Sequence, residues 1–334
     1  MKVSVTIVTW NSGPDLRRCL DSIAAQTRAV DEVVVVDNAS SDESRAVARS
    51  HAVVSALEEN RDNRGFAAGQ NQAIRRARGD WILTLNPDVV LGPGFVATLL
   101  ERAKEHAEAD GTGQDVRATP RLGTLCGKLL RLGAGGARLD PPVLDSTGIA
   151  FTRSFRHLDR GSDEPDRGQW DEPGLVFGAT AAAALYRREM IEDVSVGGEF
   201  FDEVFFAYRE DADVAWRAQL LGWDALYVPA AVAEHVRRVV PERRGSLPPE
   251  LNRYSVRNRF LMRWKNADAA VWRRCGWRGF GRDLLVVAGC ALWEWRSLPG
   301  LVDAVRFAPR ALRARRVIQS RRRRSGSEIA RWFD

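Results

Sequence analysis

The 334-residue chain is predicted to be an α/β protein, a Rossmann-like, mostly parallel sheet flanked by helices, with a C-terminal helical extension. Three observations carry this prediction. Apolar, β-rich runs alternate with helical patterns through roughly the first hundred residues, and such repetition implies a parallel sheet covered by helices. The run Val33-Val34-Val35-Val36 is apolar without alternation, as in a strand buried on both faces. Beyond His235 the sequence turns helical and rich in arginine.

In order, Val3–Thr9 reads as the first strand. Asn11-Ser12-Gly13-Pro14 is a turn that opens a helix to about Gln26, with Pro14 placed where its missing N–H costs little. Glu32–Asp37 is the second strand, and Ser40-x-x-Glu43 fits a capping box for the next helix. Val53–Leu57 is a short strand, Gly65–Arg78 a helix, Trp81–Leu85 a fourth strand and Pro93–His106 a helix. Ala109–Pro120 reads as a loop, Leu122–Arg138 as short apolar runs broken by glycines, and Asp159–Gly174 as a long polar surface loop. Val176–Tyr186 is strand-like. Phe200–Leu221 begins with aromatics and becomes helical, and Leu226–Val232 is a strand closing on Glu234-His235. Arg253–Lys265 reads as helix. Leu284, Val287, Ala288, Ala291, Leu292 and Trp295 share one helical face, and Leu301–Ala308 continues helically as far as Pro309.

Four scattered cysteines without a C-x-x-C pair read as reduced thiols rather than a disulfide or zinc framework. The N-terminus enters a strand at once, so no signal peptide is expected, and no run of about 18 apolar residues predicts a membrane span. Cytoplasm is the expected compartment. The net charge of +6 conceals an asymmetry: 24 Lys/Arg against 8 Asp/Glu from Val236 onward, and 26 against 36 before it. A basic tail on an acidic body predicts a polyanionic partner for the tail, with a merely solubilising surface as the plain alternative.

Ligands of open parallel sheets sit beyond the carboxyl ends of the strands. Here those ends are Thr9-Trp10-Asn11, Asp37-Asn38 and Asn86-Pro87-Asp88. Asp88 after a tight turn is a candidate ligand for Mg²⁺ or Mn²⁺, although all three residues are also ordinary turn formers. Asp37 can accept hydrogen bonds from a ribose or base, or cap the following loop. The first turn lacks G-x-G-x-x-G, which disfavours a nicotinamide dehydrogenase. Arg64 beside Gly65 at a helix start can meet a phosphate. Glu210, Asp211 and Asp213 follow an aromatic cluster, where desolvation raises a carboxyl pKa toward general-base use; helix-dipole stabilisation is the alternative. His235 is a candidate third metal ligand or a structural histidine.

Together the segments SVTIVTWN (4–11), VVVDNASSD (34–42), NRGFAAG (63–69), LNPDVV (85–90), FGATAAAALYRR (177–188), FFDEVFFAYREDADVAWR (200–217) and the stretch from Gly222 to His235 resemble family 2 glycosyltransferases of the GT-A fold, and especially their rhamnosyltransferase-like bacterial branch. The resemblance covers roughly residues 1–265. It implies a catalytic domain over that range, with a nucleotide-binding half (1–108), an acceptor and catalytic half (109–265), and a basic amphipathic extension over 266–334. The implied reaction is inverting transfer from a nucleoside-diphosphate sugar, with dTDP-rhamnose favoured and UDP-sugars next. The acceptor is a hydroxyl of a glycan or a polyprenyl-diphosphate-linked glycan in cell-surface polysaccharide synthesis.

Under that resemblance Asp211 is the base, with Glu210 beside it. Thr9, Asn11, Asp37, Asn38, Arg64, Gly65, Asn86 and Asp88 line the donor pocket. Gly178, Ala179 and Thr180 border the donor sugar and acceptor. Asp88 and His235 hold a divalent cation. Asn86 stands where the family's D-x-D motif has its first acid, so Asp88 is left as the carboxylate ligand. Arg257 and Arg259, in the helical stretch that also holds Arg253 and Asn258, are phosphate candidates. An amphipathic, Trp- and Arg-rich extension predicts peripheral attachment to the inner face of an anionic membrane. Its rival is packing against the catalytic domain or a homodimer partner. Two competing functions are a sugar nucleotidyltransferase, which would need a Gly-rich basic N-terminal loop absent here, and a non-enzymatic basic nucleic-acid or membrane binder, which the acidic body disfavours. No nucleic-acid partner is expected.

Overall fold

The computed structural model describes residues 1–110, 121–237 and 249–334. Its first half alternates as expected: β1 (Val3–Thr9), α1 (Gly13–Ala24), β2 (Glu32–Asp37), α2 (Ser44–Ser50), β3 (Ala56–Glu59), α3 (Gly65–Arg76) and β4 (Trp81–Leu85). β1 lies between β2 and β4, parallel to both, and β3 continues the parallel run beside β2. Every residue of β1 and β4 is buried, which explains their unbroken β-rich character. The register pairs Thr9 with Asp37, so the polar ends of β1 and β2 emerge side by side.

The second half adds β5 (Val89–Leu91), α4 (Phe95–Asp110), β6 (Arg121–Arg131), β7 (Leu144–Ser146), a β8–β9 hairpin (Ile149–Phe151 and His157–Asp159), β10 (Gly174–Val176), β11 (Ala183–Arg187), α5 (Arg188–Val194), α6 (Glu210–Leu220) and β12 (Trp223–His235). The main path of the sheet runs β10-β12-β6-β11-β4-β1-β2-β3, with β5 on β12 and β7 on β6. β11 is antiparallel to both β4 and β6, and β12 returns parallel to β6. The sheet is therefore parallel through the first half and mixed through the second.

Several local expectations are corrected. The first part of the glycine-broken stretch, as far as Arg131, is in fact the long strand β6. Its glycines permit close packing: a Cβ on Gly127 would stand 2.1 Å from the Ala231 carbonyl oxygen, and one on Gly123 would meet Met190 and Trp223. Ser40 and Glu43 form no capping box, because α2 starts at Ser44 and Glu43 makes no side-chain cap. The third strand lies three residues later than expected at its start, at Ala56 rather than Val53. Val176–Tyr186 is two short strands, β10 and β11, joined by a buried turn. The predicted loop at 109–120 lies almost wholly outside the described residues.

Beyond β12 come α7 (Pro249–Asn266), within the range expected to be catalytic, and then the extension with α8 (Ala269–Leu292), α9 (Pro299–Ser320) and α10 (Gly326–Ala330). Pro309 does not end its helix. It removes a single backbone donor, and α9 continues because Ala304, Ala311 and Ile318 are buried on its inner side. Residues 266–334 have no separate core: Ile329, Ala330 and Phe333 join Phe151, Phe155, Phe177 and Trp216 in one cluster. The Phe333 ring centroid is 5.0 Å from both Phe151 and Trp216. Arginines of the terminal run pair with acids: Arg310 with Glu199 (2.5 Å), Arg321 with Asp193 (2.7 Å), Arg322 with Asp268 (2.7 Å) and Arg324 with Asp224 (2.5 Å). Three of these acids, Glu199, Asp193 and Asp224, belong to the acidic body, so part of the polyanion that the basic tail called for is the protein's own. No helix among the described residues is long and apolar enough to cross a membrane.

Candidate active site

Three strand ends build one wall of the site. Asp37 is fully buried; its Oδ1 accepts from the Ser40 N–H (3.0 Å) and Arg45 Nε (2.8 Å), while Oδ2 has no partner. Thr9 Oγ1, on the neighbouring strand, is likewise buried and unpartnered. An orphaned buried polar atom costs about 1–3 kcal/mol, so two at paired strand ends mark a place where a ligand completes the bonding. Asn11 and Asn38 do structural work beside them. Asn11, at φ 51°, accepts from the Ser41 N–H (2.8 Å), and Asn38 Nδ2 donates to the Gly65 carbonyl (3.0 Å). Arg64 is exposed at the start of α3.

Asn86-Pro87-Asp88 forms the turn from β4 to β5. Asn86 is fixed through its backbone, donating to the Ala182 carbonyl (2.9 Å). Asp88 Oδ1 is buried and pairs with His235 Nε2 at 3.3 Å. On the far side of that ring, His235 Nδ1 is 2.8 Å from Asp145 Oδ2. Burial opposes a charge on His235, but the bonds to Asp145 and Asp88 outweigh it and lift the pKa to about 10. Burial likewise opposes a charge on Asp145, yet His235, Arg237 and Arg131 hold it at about 2. Asp145 is a site residue that the sequence did not disclose, because it lies in an unremarkable Leu-Asp-Ser strand 90 residues from its partner. Among the described residues no group of three or more His, Cys, Asp or Glu is arranged to hold a metal ion.

The third component is the start of α6. Phe206, Tyr208 and Arg209 all have positive φ (63°, 69° and 71°), strained for side chains of this size. Asn258 of α7 pins this loop, its Nδ2 donating to the carbonyls of Phe205 (2.9 Å), Ala207 (3.0 Å) and Tyr208 (2.8 Å). The Phe206 carbonyl also accepts from the Ala67 N–H (3.1 Å). Gly65, at φ +81°, leaves room for the Phe206 ring, which a Cβ would approach to 2.6 Å. The start of α3 and the loop before α6 therefore touch at Gly65.

Asp211 is half-buried in the first turn of α6. Burial raises its carboxyl pKa, while the Ala212 and Ala181 N–H groups and the Thr180 hydroxyl support the charged form. Thr180 thus lies beside Asp211. Glu210 is pushed further up by burial and by Asp211, and its Oε2 is unpartnered. Asp213 is committed elsewhere, bonded to Arg217 (2.9 Å), Lys265 (2.8 Å) and Asn266 (2.7 Å) in the core. Gly178 lets the strand approach α6, since a Cβ there would stand 2.2 Å from the Ala215 Cβ; Ala179 is buried alongside. Arg257 is also buried, donating to the Val204 carbonyl and stacking on Tyr254, and Arg259 lies 3.7 Å from Asp283.

The family model described as Glycosyl transferase family 2 matches residues 4–195, more than half of the chain. The chain belongs to that family. This family 2 glycosyltransferase is 29% identical over 252 residues to the N-acetylglucosaminyl-diphospho-decaprenol L-rhamnosyltransferase of Mycobacterium tuberculosis, covering 69% of this chain and 75% of that protein. Among solved structures it resembles GalNAc-T7 with UDP, GalNAc and Mn²⁺ (TM-score 0.58, 15% identity), covering 81% of this chain and 50% of that one, so it spans half that protein's length. It also resembles S. aureus TarS 1-349 in complex with UDP-GlcNAc (TM-score 0.55, 18% identity), covering 99% and 92%. The architecture is that of a GT-A glycosyltransferase. The rhamnosyltransferase likeness agrees with the branch read from the motifs.

Proposed function

We propose that the protein is an inverting glycosyltransferase that moves a sugar, rhamnose from dTDP-rhamnose before any UDP-sugar, onto a hydroxyl of a polyprenyl-diphosphate-linked glycan. The observation that carries this reading is the placement of Asp211. Its carboxyl is desolvated enough to be basic, yet three donors keep the charged form accessible. Asp211 takes the proton of the acceptor hydroxyl as that oxygen bonds to the sugar's anomeric carbon. The bond from that carbon to the diphosphate breaks, and the nucleoside diphosphate leaves. Thr9 Oγ1 and Asp37 Oδ2, unpartnered as they stand, hydrogen-bond the donor's base or ribose. The acceptor class follows that of the mycobacterial relative, an N-acetylglucosaminyl-diphospho-decaprenol L-rhamnosyltransferase.

Asp88 would hold a divalent cation that takes diphosphate oxygens as its other ligands, and His235, protonated as it stands between Asp145 and Asp88, would join it only on giving up its Nε2 proton. Such a cation supplies charge neutralisation to the departing diphosphate. Attachment to an anionic inner membrane surface is supported by α8 and the turn after it. There Trp277 (85% exposed), Phe280, Leu284, Leu285, Leu292 and Trp293 (78%) face solvent beside Arg273, Arg278 and Arg296.

The test is a thermal-shift screen of nucleotide sugars with and without Mn²⁺, joined to a transfer assay. A dTDP-sugar is expected to stabilise the protein. Asp211→Asn is expected to keep that stabilisation and lose transfer about a thousandfold, within the usual range for a general base. No stabilisation by any nucleoside diphosphate sinks the donor reading, and full transfer by Asp211→Asn sinks the base.

A further inference from the structure

The stretch from Val204 to Arg209 leads directly into Glu210 and Asp211 at the start of α6. Its backbone is held where side chains of this kind rarely go. Phe206 has φ 63° and ψ −64°, and the Ala207 N–H donates to the Phe205 carbonyl (2.7 Å), a γ-turn of the rare, strained hand. Tyr208 (φ 69°) and Arg209 (φ 71°) are left-handed as well. Such strain persists only where the surroundings over-determine it. Here every carbonyl of the stretch has a donor. The Val204 oxygen accepts from Arg257, the Phe206 oxygen from the Ala67 N–H (3.1 Å) and the Arg209 oxygen from the Asp213 N–H (2.9 Å). The other three, of Phe205 (2.9 Å), Ala207 (3.0 Å) and Tyr208 (2.8 Å), converge on a single atom, Asn258 Nδ2.

Asn258 is fully buried on α7. Three converging carbonyl oxygens need a donor, and an amide nitrogen offers two hydrogens in one plane. The amide's other end is fixed too: Asn258 Oδ1 accepts from Arg257 Nε (3.0 Å). Turned over, the amide would set its oxygen against three oxygens and its N–H groups against that guanidinium. The neighbouring residues of α7 grip the same stretch. The Tyr254 ring packs on Phe206, 4.7 Å between centroids, and the Ser255 carbonyl accepts from Arg209 Nε (3.3 Å). Farther along α7, Lys265 (2.8 Å) and Asn266 (2.7 Å) hold Asp213. One helix therefore holds the chain on both sides of Asp211. The Asp211 carboxylate is tied to the first turn of α6, its Oδ1 accepting from the Ala212 N–H (2.7 Å), so it goes where that turn goes.

We propose that Asn258 is a positioning residue for the transfer reaction: through three carbonyls it holds the strained turn that aims the Asp211 carboxylate at the acceptor hydroxyl. This inference rests on Asp211 as the base, proposed above, and adds what holds that base in line. Released from the amide, the turn relaxes toward ordinary φ and the first turn of α6 shifts with it. A misplacement on the order of 1 Å costs about a hundredfold in rate. Donor binding is left alone, because the candidate donor contacts Thr9 and Asp37 stand at the ends of β1 and β2. Loss of Asn258 therefore acts on kcat and spares donor affinity, a split that a purely structural role does not produce.

The full-length protein is assayed with dTDP-rhamnose and an N-acetylglucosaminyl diphosphate on a short polyprenol. Sites that bind dTDP are counted by calorimetric titration, and kcat is expressed per such site, so that unfolded protein does not enter. Asn258→Ala is expected to lower this kcat about a hundredfold while donor affinity changes less than about twofold. Asn258→Ser, whose hydroxyl restores one donated bond, is expected to lose less. If Asn258→Ala yields no dTDP-binding protein, Asn258→Ser decides by the same split. An unchanged kcat overturns the assignment, and so does a loss of donor affinity as large as the loss of kcat. A wild type inactive with this pair, or full transfer by Asp211→Asn, removes the function proposed above instead, a result distinct from the other two.

Discussion

At the strand ends of the first half, Thr9 Oγ1 and Asp37 Oδ2 are buried without hydrogen-bond partners. At the other end of the chain, Arg310, Arg321, Arg322 and Arg324 all meet a carboxylate. Both regions looked functional in the sequence, one as a polar site and the other as a basic tail awaiting a polyanion. The difference teaches that charge run and binding site are separate things. The tail's arginines fasten α9 and the segment after it to the catalytic half, whereas the quieter donor half keeps atoms that only a ligand completes.

The contrast is tested hardest at Phe333. If the terminal helices are part of the catalytic core, Phe333→Ala lowers unfolding stability by about 3–5 kcal/mol in urea titration. A loss below about 1 kcal/mol would make residues 266–334 a separate appendage. Asp202 sharpens the same point electrostatically. Burial opposes its charge, but Lys265 (2.7 Å) and Arg310 (3.2 Å) bring its pKa down to about 2. The unfolded value is about 3.9. Its contribution, about 2 kcal/mol, is therefore complete above that unfolded value and disappears as the pH falls through about 2. Asp202→Asn should remove that part of the acid dependence; an unchanged stability curve between pH 2 and 5 would show that the clamp contributes nothing.

On the donor side the expected effects are smaller in energy. Asp37→Asn replaces the unpartnered carboxylate oxygen by a group that answers only one side of the ligand's bonding. Calorimetry should show about a tenfold loss of affinity for the nucleoside diphosphate, or about 1.4 kcal/mol. Unchanged affinity would return Asp37 to the role of loop cap. The smallest effect on stability belongs to the exposed face of α8. Trp277→Ser with Trp293→Ser should move stability by less than about 0.5 kcal/mol while reducing flotation with anionic vesicles severalfold. Equal flotation would leave that face to a second protein copy.

The sheet half was legible because its physics is local. Buried parallel strands require apolar runs, and Val33–Val36 and Trp81–Leu85 supply them within a few residues. The long strand β6 was not legible, because its glycines look like breaks until Ala231, Phe95 and Met190 are seen pressing against them. Asp211 and Asp88 were found through motifs, whereas Asp145 was not, since its only sign is a histidine 90 residues away. Arg257 reads as a phosphate candidate because sequence shows a charge and not its burial; in the structure it is buried against Val204 and Tyr254.

By itself, the sequence determined the βα repetition, the polar strand ends, the order of the motifs and so the family. Each of these depends on residues that are neighbours along the chain or on the alternation of a single element. Tertiary structure alone decided which charges cancel. In a net +6 chain with a basic tail, Arg310, Arg321 and Arg324 came to rest on Glu199, Asp193 and Asp224 of the acidic body. Coulomb energy depends on distance through space, and separation along the chain does not reveal it.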